Sequence, residues 1–571
     1  MPTLEWIGKD KVINHHQEVP FRILDKKYTF NAENSENMII HGDNLLALKS
    51  LLPQYEGLID CIYIDPPYNT GTSEGKWVYS DNVDDPRIKK WLGEVVGAEG
   101  EDLSRHDKWL CMMYPRVKLL YKLLSETGVI FISIDNNEFI NLKYIFDEIF
   151  GKNNFITVFA VENNPKGRKN NAFVSEGYEY CLLYCKNRNV ITQHEEKRVF
   201  RDVVSEKNTD TRAVLRDKWG AFKQSKRQVS GCNKSNALCI VSKEDRCFTI
   251  YYKEQTDDLQ CLDEYDKDKD EWFLSITGEK LLSNGYTRYI CTNSQTGRPS
   301  IPLYAKKTLF EKHDEHLLFF KNDGTIYEKE RDGQQQITSF LPNKRFGDMM
   351  TETATVMLEN IFGYKGAFNN AKNVEFIQLL LSLIKKDDAI FLDSFGGSGT
   401  TAHAVLNLNK KDGGKRKFIL VEMMDYADTI TAERVKRVIN GYGKDDKAVA
   451  GIPGDFTYYE LGQPLFKDDK NLNEEVGEEE IRKYVYYMET KKPIESNDTD
   501  NRYYMGKNND TAYYFYYKKD EITTLNHEFL SMINTKATGY IIYADKCVLA
   551  QEVMEKFNIV FKKIPRDITR L

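Results

Sequence analysis

The tetrapeptide Asp65-Pro66-Pro67-Tyr68 is the first group of residues in this chain whose types and order suggest chemistry. In a chain of 571 residues with 15 prolines, composition alone would produce such a match on the order of 0.002 times. An exocyclic amine on a nucleobase is a weak nucleophile, because its lone pair is delocalised into the ring. The Asp65 carboxylate and the Pro66 carbonyl are both acceptors, so they can take the two amine hydrogens and turn the lone pair toward a methyl donor. The prolines fix φ, so this carbonyl projects from the chain. Tyr68 offers a flat face for a base taken out of a duplex. The plainer reading is a strand-ending turn, since proline cannot continue a ladder and Asp favours turn starts.

A second group is Asp393-Ser-Phe-Gly-Gly-Ser-Gly-Thr-Thr401. Its glycines let the backbone approach a ligand closely, and free N–H groups at the start of a following helix favour an anionic group such as a carboxylate. Gly397-Ser-Gly399-Thr-Thr-Ala402 also satisfies the relaxed dinucleotide pattern, with Glu422 at the end of the next strand, where a ribose-binding acid belongs. A nicotinamide dehydrogenase therefore competes as a reading. A phosphate-binding P-loop does not, because no Lys follows the glycines.

These groups need elements to hold them. Residues 37–43 read as a short apolar strand ending in Gly-Asp, followed by leucines at helical spacing from 45 to 52. Ile59–Ile64 is apolar and β-branched and runs into Asp65; residues 128–135 form another such run after a helix-like stretch from 113 to 124. Strands alternating with helices predict a parallel sheet covered on both faces. Residues 155–162 and 177–185 are two further strands with no convincing helix between them, an expected antiparallel pair at a sheet edge. From about 190 to 345 the texture changes to short segments of mixed charge, as in an inserted domain. The alternating order returns with a helix at 374–385, a strand at 388–393, a helix at 398–408 and a strand at 417–422. Asp43, Asp65, the Asp393 turn and Glu422 would then share the carboxyl edge of one sheet, where open α/β folds bind ligands. The glycine loop and Glu422 suit a nucleoside cofactor, and Asp65 to Tyr68 suit a base.

Composition narrows the classes. Hydrophobic residues at 41% and charged residues at 29% are ordinary for a globular protein. The longest apolar runs fall far short of the roughly 20 residues needed to cross a bilayer, and Met1 to Asp10 carries no export signal. No membrane association and a cytoplasmic location are expected. Ten cysteines are too sparse for a disulfide scaffold. Cys232, Cys239 and Cys247 lack zinc-ribbon spacing, so no metal is expected. The formal net charge of -7 argues against a protein coated in basic surface, but not against a local basic patch.

On these motifs the chain resembles the S-adenosylmethionine-dependent amino-methyltransferases of DNA, in particular the β-class permutation in which Asp-Pro-Pro-Tyr precedes Phe-x-Gly-x-Gly. Here Asp65-Pro-Pro-Tyr-Asn-Thr-Gly71 comes first and Phe395-Gly-Gly-Ser-Gly-Thr-Thr401 follows about 330 residues later. The segment His106 to Arg116, and Ile132-Ser-Ile-Asp135 followed by Asn137-Glu138, look most like the modification subunit of type III restriction systems. The resemblance implies an α/β fold with a circularly permuted class I (Rossmann-like) methyltransferase sheet. Its parts would be an arm (1–34), a first methyltransferase segment (35–190), a target-recognition domain (191–345), a second methyltransferase segment (346–454) and a small C-terminal α/β module (455–571).

The same resemblance implies that Asp65, Pro66, Pro67 and Tyr68 form the catalytic pocket for a flipped adenine. Asp43, Asp393, Phe395, Gly397, Gly399, Thr400 and Glu422 would bind S-adenosylmethionine, and no metal would take part in methyl transfer. Double-stranded DNA, a second copy of the chain and a restriction helicase-nuclease are the implied partners. A solitary methyltransferase or a cytosine-N4 enzyme would carry the same motifs. One departure stands out: the family's Pro-Lys-Pro-like element is here Phe368-Asn-Asn-Ala-Lys372-Asn373, which keeps the lysine and lacks both prolines.

Seven basic residues, Arg212, Arg216, Lys218, Lys223, Lys226, Arg227 and Lys234, stand against the one acid Asp217, a pattern suited to phosphate contact. Residues 281–310 carry four basic side chains, Arg288 and Arg298 among them, and no acid, interleaved with Tyr286, Tyr289 and Asn293. Either patch is equally readable as a solvated face. The intervening 257–271 holds eight acids and is expected to face away from DNA. Trp109 is expected in the core, His106 on the surface, and His403 in a packing role.

Overall fold

The structure, a computed structural model, describes residues 3–69, 90, 93, 105–164, 167, 173–192, 203–204, 214–217, 220–232, 246–293, 296–330, 334–335, 337–343, 349–494 and 501–566. The chain divides into two compact units, Met1–Arg201 with Thr338–Leu571, and Asp202–Ile337.

The first unit is built on a ten-stranded sheet. In chain order its strands are β1 (Arg22–Phe30), β2 (Met38–His41), β3 (Ile59–Ile64), β4 (Leu124–Ile134), β5 (Phe155–Glu162), β6 (Tyr178–Cys185), β7 (Phe340–Leu341), β8 (Ile390–Asp393), β9 (Lys417–Glu422) and β10 (Phe456–Pro464). Their order across the sheet is β1-β10-β2-β9-β8-β3-β4-β6-β5-β7. From β10 to β4 all neighbours are parallel, whereas β6 is antiparallel to both β4 and β5. This is the permuted, Rossmann-like arrangement anticipated: the chain lays down β1 at one edge, passes to β2, works outward from β3 to the β6/β5 edge, and returns to the centre with β8 and β9.

Burial on both faces explains the sequence texture of the central strands. All six residues of β3 are buried, as are the last seven of β4. Such strands read as continuous apolar runs rather than alternating ones. The helix Arg105–Leu123 covers one face with Trp109, Met113, Val117 and Leu120, while Val374–Ser382 and Thr400–Asp412 bring Ile377, Leu380 and Val405 into the core. The first of these helices starts earlier than its apolar period suggested, because its amino-terminal turns carry Arg105, His106 and Asp107.

Residues past 455 do not begin as a separate body: Phe456–Pro464 is β10, paired with β1 and β2. A further four-stranded sheet follows, made of Tyr504–Asn508, Thr511–Phe515, Gly539–Ala544 and Ile559–Lys563. It is tied to the chain end by the buried Arg566, which pairs with Asp545 at 2.6 Å and Glu474 at 2.7 Å. Among the described residues no helix is long and apolar enough to cross a membrane.

The second unit contains a four-stranded sheet, in the order Leu318–Phe320, Ile326–Glu330, Gly220–Gln228, Val214–Asp217. A three-stranded sheet centres on Thr249–Lys253, flanked by Asp258–Leu262 and Thr287–Tyr289. Its core includes Phe248, Ile250, Leu309 and Ile326.

Candidate active site

Strands β8 and β3 lie side by side and parallel, with Phe391 opposite Cys61 and Leu392 opposite Ile62. From β8 the sheet continues through β9 on one side, and from β3 through β4 on the other. The pair is therefore the topological switch point, where the loops leaving two neighbouring strands diverge and open a crevice. Asp393 ends β8 and Asp65 follows β3, so register alone brings the two motifs together.

One cavity is lined by both. Asp65, Pro66 and Tyr68 form part of its wall; Asp393, Phe395, Gly396, Gly397, Ser398, Thr400 and Thr401 form another part. Tyr63, Asp135, Asn163, Glu179, Phe368 and Lys372 complete much of the remainder.

The acceptor loop is held from behind. The Trp109 indole N–H donates to the Pro67 carbonyl at 2.7 Å, so Pro67 anchors the loop while Pro66 borders the cavity. Asn69, at φ 56°, turns the chain and donates through its amide to the fully buried Glu138 and to the Arg105 carbonyl. His106 Nδ1 lies 2.7 Å from the same Glu138 carboxylate, so this side chain braces the loop rather than standing idle on the surface. Thr70 and Gly71 lie outside the described residues.

The glycine loop is shaped by its acids. Asp393 accepts from the Phe395 N–H at 3.0 Å and the Thr401 hydroxyl at 2.6 Å, closing the turn from strand into helix. Glu422, at the end of β9, accepts from the Gly397 N–H at 2.7 Å and the Met424 N–H at 2.9 Å, one on each carboxylate oxygen. Each oxygen keeps acceptor capacity for a further donor. Burial pushes both acids up, to about 7 in each case, with their hydrogen bonds opposing the shift. Gly399 sits at φ 80°, and a Cβ there would meet the Thr431 carbonyl at 2.9 Å, so no other residue fits without a shift. The buried Arg434 supports the same turn from the protein interior, donating to Ser398 Oγ at 2.7 Å and Thr400 Oγ1 at 2.8 Å.

At the junction stands Lys372. Its Nζ lies 3.3 Å from Asp65 Oδ1 and 3.1 Å from Glu179 Oε2, and it donates to the Tyr68 hydroxyl at 2.6 Å. The Tyr68 hydroxyl in turn donates to Glu179 at 3.1 Å. Loss of water pushes the Asp65 carboxyl up to about 6, with the Lys372 ammonium pulling the other way. Burial works against the charge on Lys372 itself, but the two carboxylates hold its pKa above the ordinary lysine value.

The DNA methylase family matches residues 59–433, a span that includes both motifs and everything between them. The chain is a member of that family. Among curated relatives, this chain is 31% identical over 444 residues to the EcoPI Mod subunit of a type III restriction-modification enzyme from Escherichia phage P1, covering 74% of this chain and 63% of that one. The EcoP15I Mod subunit from Escherichia coli is 29% identical, with 77% and 66% covered. The type II methyltransferase M.KpnI from Klebsiella pneumoniae is 30% identical, with 70% and 85% covered. The chain therefore spans just under two thirds of the length of the two Mod subunits. Among solved structures, the cytosine-N4-specific PvuII DNA methyltransferase aligns over 71% of this chain and 89% of its own, at 12% identity and a TM-score of 0.31.

Several of the expected site residues sit away from the cavity wall. Asp43 caps the helix Asn44–Tyr55, accepting from the N–H groups of Leu45 and Leu46, and pairs with Arg116 at 3.2 Å. Pro67, Gly399 and Glu422 are likewise absent from the wall and hold the backbones of the loops, as described. His403 is buried against the Arg434 guanidinium, in line with packing. In the second unit, Arg212, Lys218 and Lys234 lie outside the described residues, as do the side chains of Arg216 and Arg227. Lys223 is half-buried on the strand Gly220–Gln228, and Lys226 on the same strand is exposed.

The acidic and basic stretches of this unit are partners rather than opposite faces. Arg288 pairs at 2.8 Å with the fully buried Glu264, and Arg298 pairs with Asp270 while remaining 70% exposed. Three contributors were not singled out from sequence. Glu179 had a signal, being an acid inside the otherwise apolar and aromatic strand β6. Glu138 appeared only within the stretch that carries the resemblance, without a role, and Arg434 had no signal, because their roles depend on contacts distant in sequence.

Proposed function

We propose that this methylase transfers the methyl group of S-adenosylmethionine to N6 of an adenine extruded from double-stranded DNA, as the modification and recognition subunit of a type III restriction-modification system. The observation that carries this reading is the single cavity shared by Tyr68 and Gly397, residues from two loops far apart in the chain. S-adenosylmethionine, when bound, supplies an electrophilic methyl on a sulfonium. The donor set suits it: Glu422 retains lone pairs for ribose hydroxyls, and the turn from Gly397 to Thr400 presents main chain at the start of a helix, where a carboxylate is favoured.

The residues of the acceptor loop then do three things. Asp65 and the Pro66 carbonyl accept the amine hydrogens and orient its lone pair. Tyr68 stacks on the base, compensating the unstacking that extrusion requires. Asp65 stabilises positive charge as it grows on the amine nitrogen and receives the proton that the nitrogen sheds. Alignment of amine and methyl supplies most of the acceleration.

The second unit is the proposed target-recognition domain, and its proposed DNA contacts are Lys223, Lys226 and Arg298, along with Arg212, Arg216, Lys218 and Arg227. Arg288 acts there mainly by ordering the domain through Glu264. A homodimer and a helicase-nuclease subunit are the proposed protein partners. Nucleoside mass spectrometry of DNA from a host expressing the chain, with mapping of the modified bases, tests the reading. N6-methyladenine at one sequence is the expected result; N4-methylcytosine, or no modified base, overturns it. Co-purification of a helicase-nuclease tests the type III assignment against a solitary enzyme.

A further inference from the structure

Lys372 meets both motifs. Its main-chain carbonyl accepts from the Thr400 hydroxyl at 3.3 Å, on the glycine loop, while its ammonium sits among Asp65, Tyr68 and Glu179 on the opposite wall. It is also the one basic side chain among the described residues lining the cavity, which holds four acids: Asp65, Asp135, Glu179 and Asp393. The remaining titratable groups that interact with Asp65 are Tyr63 on β3, Cys181 on β6 and Asp393 at the end of β8, all buried.

We propose that Lys372 is a positioning residue for methyl transfer, keeping Asp65 ionised and the Tyr68 ring in place while its backbone binds the glycine loop. This rests on the amine-acceptor role given to Asp65 above. Two carboxylates, Asp65 and Glu179, share this ammonium. Without it, like charges in a space poor in water would drive one of them to take up a proton. A protonated Asp65 would meet the substrate amine with a hydrogen of its own and lose acceptor capacity. The ammonium also lies 4.8 Å from the Tyr68 ring centroid and donates to its hydroxyl, so one side chain restrains both the acceptor and the stacking surface.

The sequence departure at Phe368-Asn-Asn-Ala-Lys372-Asn373 fits this division of labour. The Asn373 side chain caps the helix Val374–Ser382 by accepting from the Glu375 N–H at 2.8 Å, so the helix start is held without a proline. The lysine side chain is then committed to the acceptor loop, and its carbonyl to the cofactor side.

The test compares wild type, Lys372→Met and Lys372→Arg in methyl-label transfer to unmethylated duplex DNA across pH 5.5 to 9, with S-adenosylmethionine affinity measured by equilibrium dialysis. Removing the cation raises the Asp65 pKa. In Lys372→Met the acid limb of the rate profile should therefore move to higher pH by about one unit or more, a tenfold loss at a fixed pH on that limb. Affinity for S-adenosylmethionine should stay within about threefold, because the backbone carbonyl is kept. Arginine should return the limb toward the wild-type position. Lys372→Gln, which is closer in length and polarity, reads the same shift if the methionine variant does not fold. An unshifted acid limb in the folded variants overturns the proposal, as does a limb that arginine fails to restore. Asp65→Ala separates this from the underlying reading: if that variant still transfers methyl groups, the role of Asp65 itself is wrong.

Discussion

Glu422→Gln is the sharpest probe of the cofactor side. The wild-type carboxylate receives one main-chain N–H on each oxygen, from Gly397 at 2.7 Å and Met424 at 2.9 Å. Glutamine has one oxygen, so one of these N–H groups must face an NH2, and the ribose hydroxyls lose a charged acceptor. A hydrogen bond to a charged group contributes about 1.5–3 kcal/mol. At about 1.4 kcal/mol per factor of ten, S-adenosylmethionine binding should weaken by about 10- to 150-fold. Isothermal titration calorimetry at pH 8, with circular dichroism to confirm the fold, measures this directly. The same variant has a pH signature in the unliganded protein. Burial raises Glu422 to about 7, so between the ordinary carboxylate range and pH 7 the folded state holds a proton that the unfolded state has released. Stability therefore falls as pH rises through that window, and glutamine removes this penalty. The stability difference should move in favour of the variant between pH 5 and pH 8, read from denaturant midpoints. An affinity within threefold of wild type would refute the assignment of Glu422 to the cofactor.

Asp65→Ala should reduce methyl transfer at least about a thousandfold, while S-adenosylmethionine still binds, since the glycine loop is untouched; radiolabel transfer and dialysis on the same preparation check both. Trp109→Phe deletes the buried N–H that satisfies the Pro67 carbonyl and should cost about 1–3 kcal/mol of stability in a denaturant titration, together with a loss of turnover. Lys226→Ala should lower the slope of log affinity against log salt for duplex DNA by about 0.9, the value of one phosphate contact, with no change in melting temperature. Arg288→Ala should instead destabilise the second unit, because it strands the fully buried Glu264; limited proteolysis between residues 202 and 337 reads that difference.

The legibility of these features in the sequence follows from how local their causes are. Asp65-Pro66-Pro67-Tyr68 was readable because two prolines end a strand within the motif itself, and the glycine loop because positive φ at Gly397 and Gly399 demands glycine on the spot. The parallel central sheet followed from the alternation of apolar runs with helical periods, and the antiparallel β5/β6 pair from the lack of a helix between them; the order of the strands did not follow from either. Lys372 was visible as the surviving residue of a motif, but its side chain reaches Tyr68 across 304 positions of sequence. Only the adjacency of β8 and β3 decides which loop it serves. Charge blocks misled for a related reason. The acidic 257–271 and basic 281–310 stretches look like opposite faces, yet Asp258–Leu262 and Thr287–Tyr289 flank the same strand, Thr249–Lys253, which draws Glu264 and Arg288 together.

The same adjacency explains why the order of motifs along the chain is immaterial to the chemistry. The cavity depends on two strand ends pointing the same way in register, Phe391 against Cys61 and Leu392 against Ile62, and this pairing does not depend on which strand is made first. Breaking the chain at one connection and joining it at another leaves Asp65, Gly397 and Glu422 where the strand pairing puts them. What the permutation does change is where an insertion can be carried. The long excursion between β6 and β7 leaves from the edge half of the sheet, so the pairing of the central strands that hold both loops does not pass through it. The proposed recognition unit can therefore diverge in sequence without disturbing the register on which the proposed methyl transfer depends.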